Sequence, residues 1–170
     1  CAVFRFTPLS EDDVKEYLRQ IAKKENVKFT EDGIKAVIEV AEGDMRKAIN
    51  TLQAAASLKK AVNDESVYLV IGRAKPKDVK EMLELAFNGD FLKAREKLRL
   101  MLVEYGLSGI DIVKQIHSEI FRMTIPEKNK VALADAIGEV DYRLVEGADE
   151  EVQLSALLAR LVIVADRADQ

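Results

Sequence analysis

Apolar residues recur at spacings of three and four along this chain from Val14 to Val162, and Gly, Pro, Asn and Asp interrupt the pattern at short intervals. Such spacing puts apolar side chains on one face of an α-helix. A helix with one apolar stripe must bury it against a neighbour, so many short amphipathic helices joined by turns dictate a packed, mainly α fold. Ser10 with Asp13 resembles a capping box with Asp in place of Glu, opening a helix that buries Val14, Tyr17, Leu18 and Ile21 and stops at Asn26. Val27 to Phe29 is a minimal strand or an extended link. Thr30 caps a second helix with Ile34, Val37, Ile38 and Ala41 inward, and Gly43 ends it. A third runs from Asp44 towards Lys60 with Ala48, Ile49, Leu52, Ala55 and Ala56 inward. Asp64 is expected to cap a short segment to Ile71. The spacing of its valines favours helix and their β-branching favours strand; the cap tips the reading to helix. Ahead of all these, Ala2 to Phe6 reads as a short strand ending at Thr7-Pro8.

Gly72-Arg73-Ala74-Lys75-Pro76 is the strongest boundary, because a new periodic pattern begins straight after it. The expected division is therefore a first domain over 1–73, with three to four helices, and a second over 76–170, with five. Pro76 can start the first of the five, with Val79, Met82, Leu83, Ala86 and Phe87 inward. Asn88-Gly89-Asp90 separates it from a helix carrying Phe91, Ala94, Leu98, Met101 and Leu102. Gly106 and Ser108 lead into one with Ile112, Ile116, Ile120 and Phe121. After Pro126 a long pattern holds Val131, Ala134, Ile137, Val140 and Leu144. The last helix is apolar over more than one stripe: Val152, Leu154, Leu157, Leu158, Leu161, Val162 and Ala165. It is either central in its bundle or it contacts another chain.

Composition narrows the function classes. A net charge of -4 argues against a globally basic nucleic-acid binder. Cys1 is the only cysteine, which excludes an internal disulfide and a cysteine-rich zinc site. No apolar run is long enough to cross a bilayer and no signal-peptide pattern opens the chain, so an intracellular, cytoplasmic, soluble protein is expected, with no membrane partner. Because the chain opens on Cys and not Met, a fragment or processed product is also expected. The mixed Lys, Glu, Asp and Arg content, with few Asn and Gln, resembles that of thermophile proteins. There is no Gly-rich phosphate loop ending in Gly-Lys-Ser/Thr. No catalytic residue and no metal site is assigned, and the single histidine, His117, receives no role.

One stretch carries a chemical question. In Gly43-Asp44-Met45-Arg46-Lys47-Ala48-Ile49-Asn50-Thr51-Leu52-Gln53, Arg46 and Lys47 fall in the first turn of a helix, where the dipole disfavours cations. A bound phosphate would turn that conflict into a site. A solvated pair of surface cations is the blander reading, and charge placement alone favours it.

In context, the motif resembles the sensor-2 motif of the replication factor C family, the AAA+ sliding-clamp loaders of archaea and eukaryotes. Cys1-Ala-Val-Phe-Arg-Phe resembles the segment that starts at the Cys of the family's Ser-Arg-Cys motif. Leu107-Ser108-Gly109 with Asp111, and Tyr142 to Ala148, resemble segments of its collar domain. The resemblance spans the chain and is strongest to the archaeal small-subunit branch. It implies an AAA+ lid over 1–73 and a helical collar over 76–170. It implies that Arg46, supported by Gly43, Asp44 and Met45, senses the γ-phosphate of ATP held by an ATPase domain, with ATP and Mg²⁺ bound in the intact parent and no cofactor or catalysis in this stretch alone. It implies that the collar joins other large and small loader subunits, or copies of itself, with Leu154, Leu157, Leu158, Leu161 and Val162 as contact candidates. It also implies that the sliding clamp and primer-template DNA are reached only through the complete complex. The alternative is the lid and collar of another AAA+ protein, acting as an oligomerisation module.

Overall fold

The structure is a computed structural model that describes residues 7–58 and 61–166. The expected strand at 2–6 lies outside them. Two compact units divide the chain, Cys1–Ile71 and Gly72–Gln170.

The first unit contains α1 (Glu11–Lys24), β1 (Lys28–Phe29), α2 (Glu31–Ala41), α3 (Met45–Leu58), β2 (Ala61–Val62) and α4 (Asp64–Val70). Each helix starts where a side chain can satisfy its orphan N–H groups. Ser10 Oγ accepts from Asp13 N, and its hydroxyl donates to the Asp13 carboxylate at 2.6 Å. The Asp therefore closes the box on the hydroxyl. Thr30 Oγ1 accepts from Gly33 N at 3.0 Å. At α4 the cap is Asn63, one residue before the expected Asp64, in a reciprocal box with Ser66. The short segment is a helix, as the cap suggested. Asn26 takes a positive φ of 54° just past α1.

Val14, Leu18, Ile34, Val37, Ala48, Leu52 and Val67 form the centre of this unit's core. Tyr17 does not join them: it is half exposed, and Ala22 fills the inner face instead. The strand at Lys28–Phe29 has a partner the sequence did not reveal. β1 and β2 pair in parallel, Lys28 opposite Ala61 and Phe29 opposite Val62. Gly33 makes room for the pairing, since a Cβ there would stand 2.4 Å from the Val62 carbonyl oxygen.

The second unit contains α5 (Pro76–Phe87), α6 (Phe91–Arg99), a π-helical turn (Leu100–Glu104), α7 (Gly109–Arg122), α8 (Glu127–Val145) and α9 (Glu150–Asp166). Pro76 stands at the first position of α5, as expected. α9 packs against α8, α6, α5 and α7, which makes it the centre of the bundle. Its Leu154, Leu157, Leu158 and Leu161 meet Met82, Leu83, Leu98, Ile116 and Leu133 in one core. Three residues expected inward point out: Phe121, Val131 and Val152 are 49%, 65% and 61% exposed. On α8 the inward places go to Leu133 and Ala136, two residues around the helix from Val131 and Ala134. Among the described residues no helix is long and apolar enough to cross a membrane.

Candidate functional site

The α2–α3 turn is built by backbone conformation first. Glu42 and Gly43 both take positive φ, 53° and 82°. Glu42, not Gly43, is the residue that closes α2, its N–H donating to the Ile38 carbonyl. Gly43 is required twice over. Its φ is costly for any other residue, and a Cβ there would lie 2.6 Å from Pro8 Cβ and 3.0 Å from the Leu9 carbonyl oxygen. The Leu9 N–H donates to the Gly43 carbonyl at 3.2 Å, so the chain entering α1 is fastened to this turn.

Asp44 then caps α3. Its Oδ1 accepts from Arg46 N at 2.9 Å and from Lys47 N at 3.1 Å, and its carbonyl accepts from Ala48 N. This changes the reading of the first turn. Two of the backbone donors that a phosphate would use at a helix start, Arg46 N and Lys47 N, are already taken by the protein's own carboxylate. The same carboxylate offsets the helix dipole that Arg46 and Lys47 would otherwise oppose. An anion arriving here meets side chains, not a backbone cradle.

Those side chains differ. Met45 is half buried and packs against the first unit's core, which fixes the helix start. Arg46 and Lys47 are exposed. Among the described residues neither cation has an acid within ion-pair distance, whereas Arg19 and Lys15 on α1 share Glu31 at 2.6 Å and 3.3 Å. Arg46 therefore presents an unpaired guanidinium on a rigidly capped helix. Asn50 and Gln53, one and two turns on, are also exposed.

Position overturns the four leucines of the second group of candidates. Leu154, Leu157, Leu158 and Leu161 are each 0% exposed, whereas Val162 is half buried against the same core. The leucines cannot be a contact surface in the folded unit. Of the two explanations for a helix apolar all round, the central position holds. The physical reason is that α9 has neighbours on several sides, so several stripes must be apolar.

His117 stands edge-on to Phe121, ring centroids 5.0 Å apart, on the outer side of α7. Asp12 and Asp13 lie in the first turn of α1, and Glu151 in that of α9 pairs with Arg95 at 2.7 Å. No group of three His, Cys, Asp or Glu side chains among the described residues could hold a metal ion. Sequence reasoning missed the π-helical turn, which leaves Val103 and Tyr105 at the surface. Its one signal is that Tyr105 continues the spacing of Leu98 and Met101 but Leu107 takes the buried place.

Comparison with known proteins assigns both units. The family described as RCF1/5-like, AAA+ ATPase lid domain matches residues 16–57, within the first unit. The family described as Replication factor C C-terminal domain matches residues 74–160, within the second. The replication factor C small subunit of Thermococcus kodakarensis is 56% identical over 164 residues, covering 96% of this chain and 19% of that protein. That of Pyrococcus furiosus is 53% identical over 167 residues, covering 98% and 20%. That of Staphylothermus marinus is 50% identical over 169 residues, covering 98% and 51%. The chain thus spans from about a fifth to about half of the length of these relatives. With a lid match, a C-terminal-domain match and archaeal small subunits at half identity or better, the chain belongs to the replication factor C family of clamp loaders.

Proposed function

We propose that the first unit works as the AAA+ lid and the second as the collar of a clamp-loader small subunit, over 1–73 and 76–170. In this reading Arg46 reports ATP bound by an ATPase domain of the same subunit. The collar holds the subunit beside other large and small subunits, and the assembly places a sliding clamp on primed DNA. ATP and Mg²⁺ belong to the ATPase domain. What this chain contributes is one guanidinium for a terminal phosphate oxygen.

The observation that carries the reading is Arg46 itself: exposed, and without an acid partner among the described residues. Its helix start is pinned by the Asp44 cap and the Gly43 turn. A guanidinium suits a phosphate through paired, charge-assisted hydrogen bonds. Because Asp44 occupies the Arg46 and Lys47 N–H groups, the side chain would make the main contact, and it would do so only when another domain brings the phosphate. Gly43, Asp44 and Met45 act as positioning residues that set where the guanidinium stands.

The test is Arg46→Ala in the full-length small subunit, assembled with its loader partners. Loss of a charge-assisted hydrogen bond worth about 1.5–3 kcal/mol predicts about a 10–100-fold fall in kcat/KM for clamp-dependent ATP hydrolysis. The thermal unfolding of the chain should not move, since the side chain supports no packing. Unchanged hydrolysis and unchanged loading would sink the role.

A further inference from the structure

The turn that presents Arg46 is held from a second side. Residues 7–10 lie outside every helix and strand and are exposed throughout, yet they run against the α2–α3 turn. The Leu9 N–H donates to the Gly43 carbonyl at 3.2 Å. A Cβ on Gly43 would stand 2.6 Å from Pro8 Cβ, 3.0 Å from the Leu9 carbonyl oxygen and 3.1 Å from the Leu9 nitrogen. Gly72, Gly89, Gly106 and Gly147 also take positive φ, and at each of them the space for a Cβ is empty. Among the described residues, Gly43 is therefore the one positive-φ glycine that another segment presses on. Its neighbour Glu42 carries a side chain at a φ of 53°, so this turn tolerates a side chain at positive φ. What glycine adds at 43 is room for residues 8 and 9.

Burial does not explain the contact. Leu9 is 46% exposed and lies outside the apolar core of the first unit. A backbone hydrogen bond and a close fit of two backbones hold the segment in place. The segment is also stiff. Proline fixes its own φ and keeps the residue before it extended, so Thr7 and Pro8 have little freedom. Ser10 is extended as well, with φ -68° and ψ 153°, and its side chain is bonded to the first turn of α1. A hinge absorbs movement through residues that can change φ and ψ. This segment has the opposite construction and passes movement on.

From Gly43 the path to Arg46 is short. Gly43 is joined to Asp44, whose N–H donates to the Ala41 carbonyl at 2.9 Å and whose Oδ1 accepts from Arg46 N at 2.9 Å. A hydrogen bond, a peptide bond and a further hydrogen bond thus connect Leu9 to the Arg46 backbone. The chain enters the first unit at the turn that carries the guanidinium, before α1 begins.

We infer that Pro8 and Leu9 form a positioning strap for Arg46: they hold the entering chain at a fixed distance from the guanidinium, so that the two move as one piece. The inference rests on the reading of Arg46 as a reporter of bound ATP, and it names the part that ties the reporter to the chain ahead of it. In that reading the ATPase domain stands ahead of the lid. With the strap closed, Arg46 reaches a terminal phosphate only in the lid positions that the entering chain permits. With the strap open, the lid pivots about residues 8 to 10 and the guanidinium samples positions that miss the phosphate. Pro8 and Gly43 supply the fit, and the Leu9 N–H supplies the bond. None of the three touches the nucleotide.

The experiment uses the full-length small subunit assembled with its loader partners. It measures the ratio of two affinities, for a non-hydrolysable ATP analogue and for ADP, which lacks the terminal phosphate. Leu9→Pro removes the donor and should lower the ratio about 10-fold by misplacing the guanidinium, with the ADP affinity unchanged. Leu9→Ala, the conservative variant, keeps the donor and should keep the ratio. In an Arg46→Ala background Leu9→Pro should cost nothing further, because the strap acts through that side chain. A merely structural role would weaken both nucleotides together and leave the ratio where it was. If Arg46→Ala lowers the ratio and Leu9→Pro does not, the strap is wrong while the reporter reading stands. If Leu9→Pro lowers it equally in both backgrounds, or Leu9→Ala lowers it as much as Leu9→Pro, the effect does not run through the Leu9 N–H to Arg46 and the strap is again wrong. If Arg46→Ala itself leaves the ratio unchanged, the reporter reading falls, and this inference with it. Should Leu9→Pro fail to assemble, Pro8→Gly loosens the strap with the donor in place. It should lower the ratio by less, and an unchanged ratio there overturns the strap.

Discussion

Among the described residues, all four helices of the first unit begin on a side chain that closes their own first turn: Ser10, Thr30, Asp44 and Asn63. In the second unit only Asp149 does this, accepting from Val152 N at 2.8 Å; Lys75, Asp90, Ser108 and Pro126 make no side-chain cap. The cores show the opposite balance. Among the largest fully buried side chains of the described residues, Leu18 and Ile34 are the only two in the first unit, and ten belong to the second. The first unit compensates for a small core with local hydrogen bonds that fix where each helix starts. The second depends on a shared apolar centre threaded by α9. For a part proposed to hold an arginine in place, accurate helix starts are the useful property. For one proposed to bear load between subunits, a deep core is.

Deleting core volume should separate the two units most. Leu158→Ala removes a 0%-exposed side chain from the centre of the second unit and should cost that unit about 3–5 kcal/mol. Amide hydrogen exchange should show protection falling across α5 to α9 and unchanged in α1 to α4. Equal loss in both would mean that the two do not unfold as separate units.

Removing caps should act the other way. Asn63→Ala breaks a reciprocal box and should destabilise the first unit by about 1–2 kcal/mol. Ser108→Ala, at a helix start without a side-chain cap bond, should cost no more than about 0.5 kcal/mol. Denaturant titration of the two variants measures the contrast, and similar costs would erase it.

The smallest effect is electrostatic. Hydrogen bonds from Arg19 and then Lys15 hold the Glu31 carboxyl below its ordinary value of 4.5. A lowered folded pKa contributes stability above the ordinary value, and that contribution is lost as pH falls through the lowered one. Glu31→Gln should therefore weaken the first unit slightly at neutral pH and leave it less sensitive to acid. Acid unfolding curves that superimpose for the two chains would show that the exposed pair contributes nothing.

Much of the first unit was legible because caps are short-range. Ser10, Thr30 and Asn26 act within a turn of where they stand, and the sequence shows them directly. What failed was longer in reach. Tyr17, Phe121, Val131 and Val152 lie at the margins of their stripes, where spacing alone does not decide the side and the neighbouring helix does. The β2 pairing depends on a residue distant in sequence, and the π-helical turn inserts a residue that a period of 3.6 does not anticipate. At the site, the Gly43 turn and the Asp44 cap could be read from residue types. That the Asp44 carboxylate would occupy the very donors a phosphate needs is a matter of hydrogen-bond geometry, which residue types do not carry.

The two-residue strand pair has a kinetic consequence. Lys28 and Phe29 meet Ala61 and Val62 from 33 positions away, with α2 and α3 held inside the loop. Closing such a loop costs chain entropy before the pairing returns anything. The clasp should therefore form late in folding and open first under stress. Its release would loosen α2 and α3 relative to α1 without dissolving any helix, so the turn that presents Arg46 would lose its fixed position well before the unit lost its helical content.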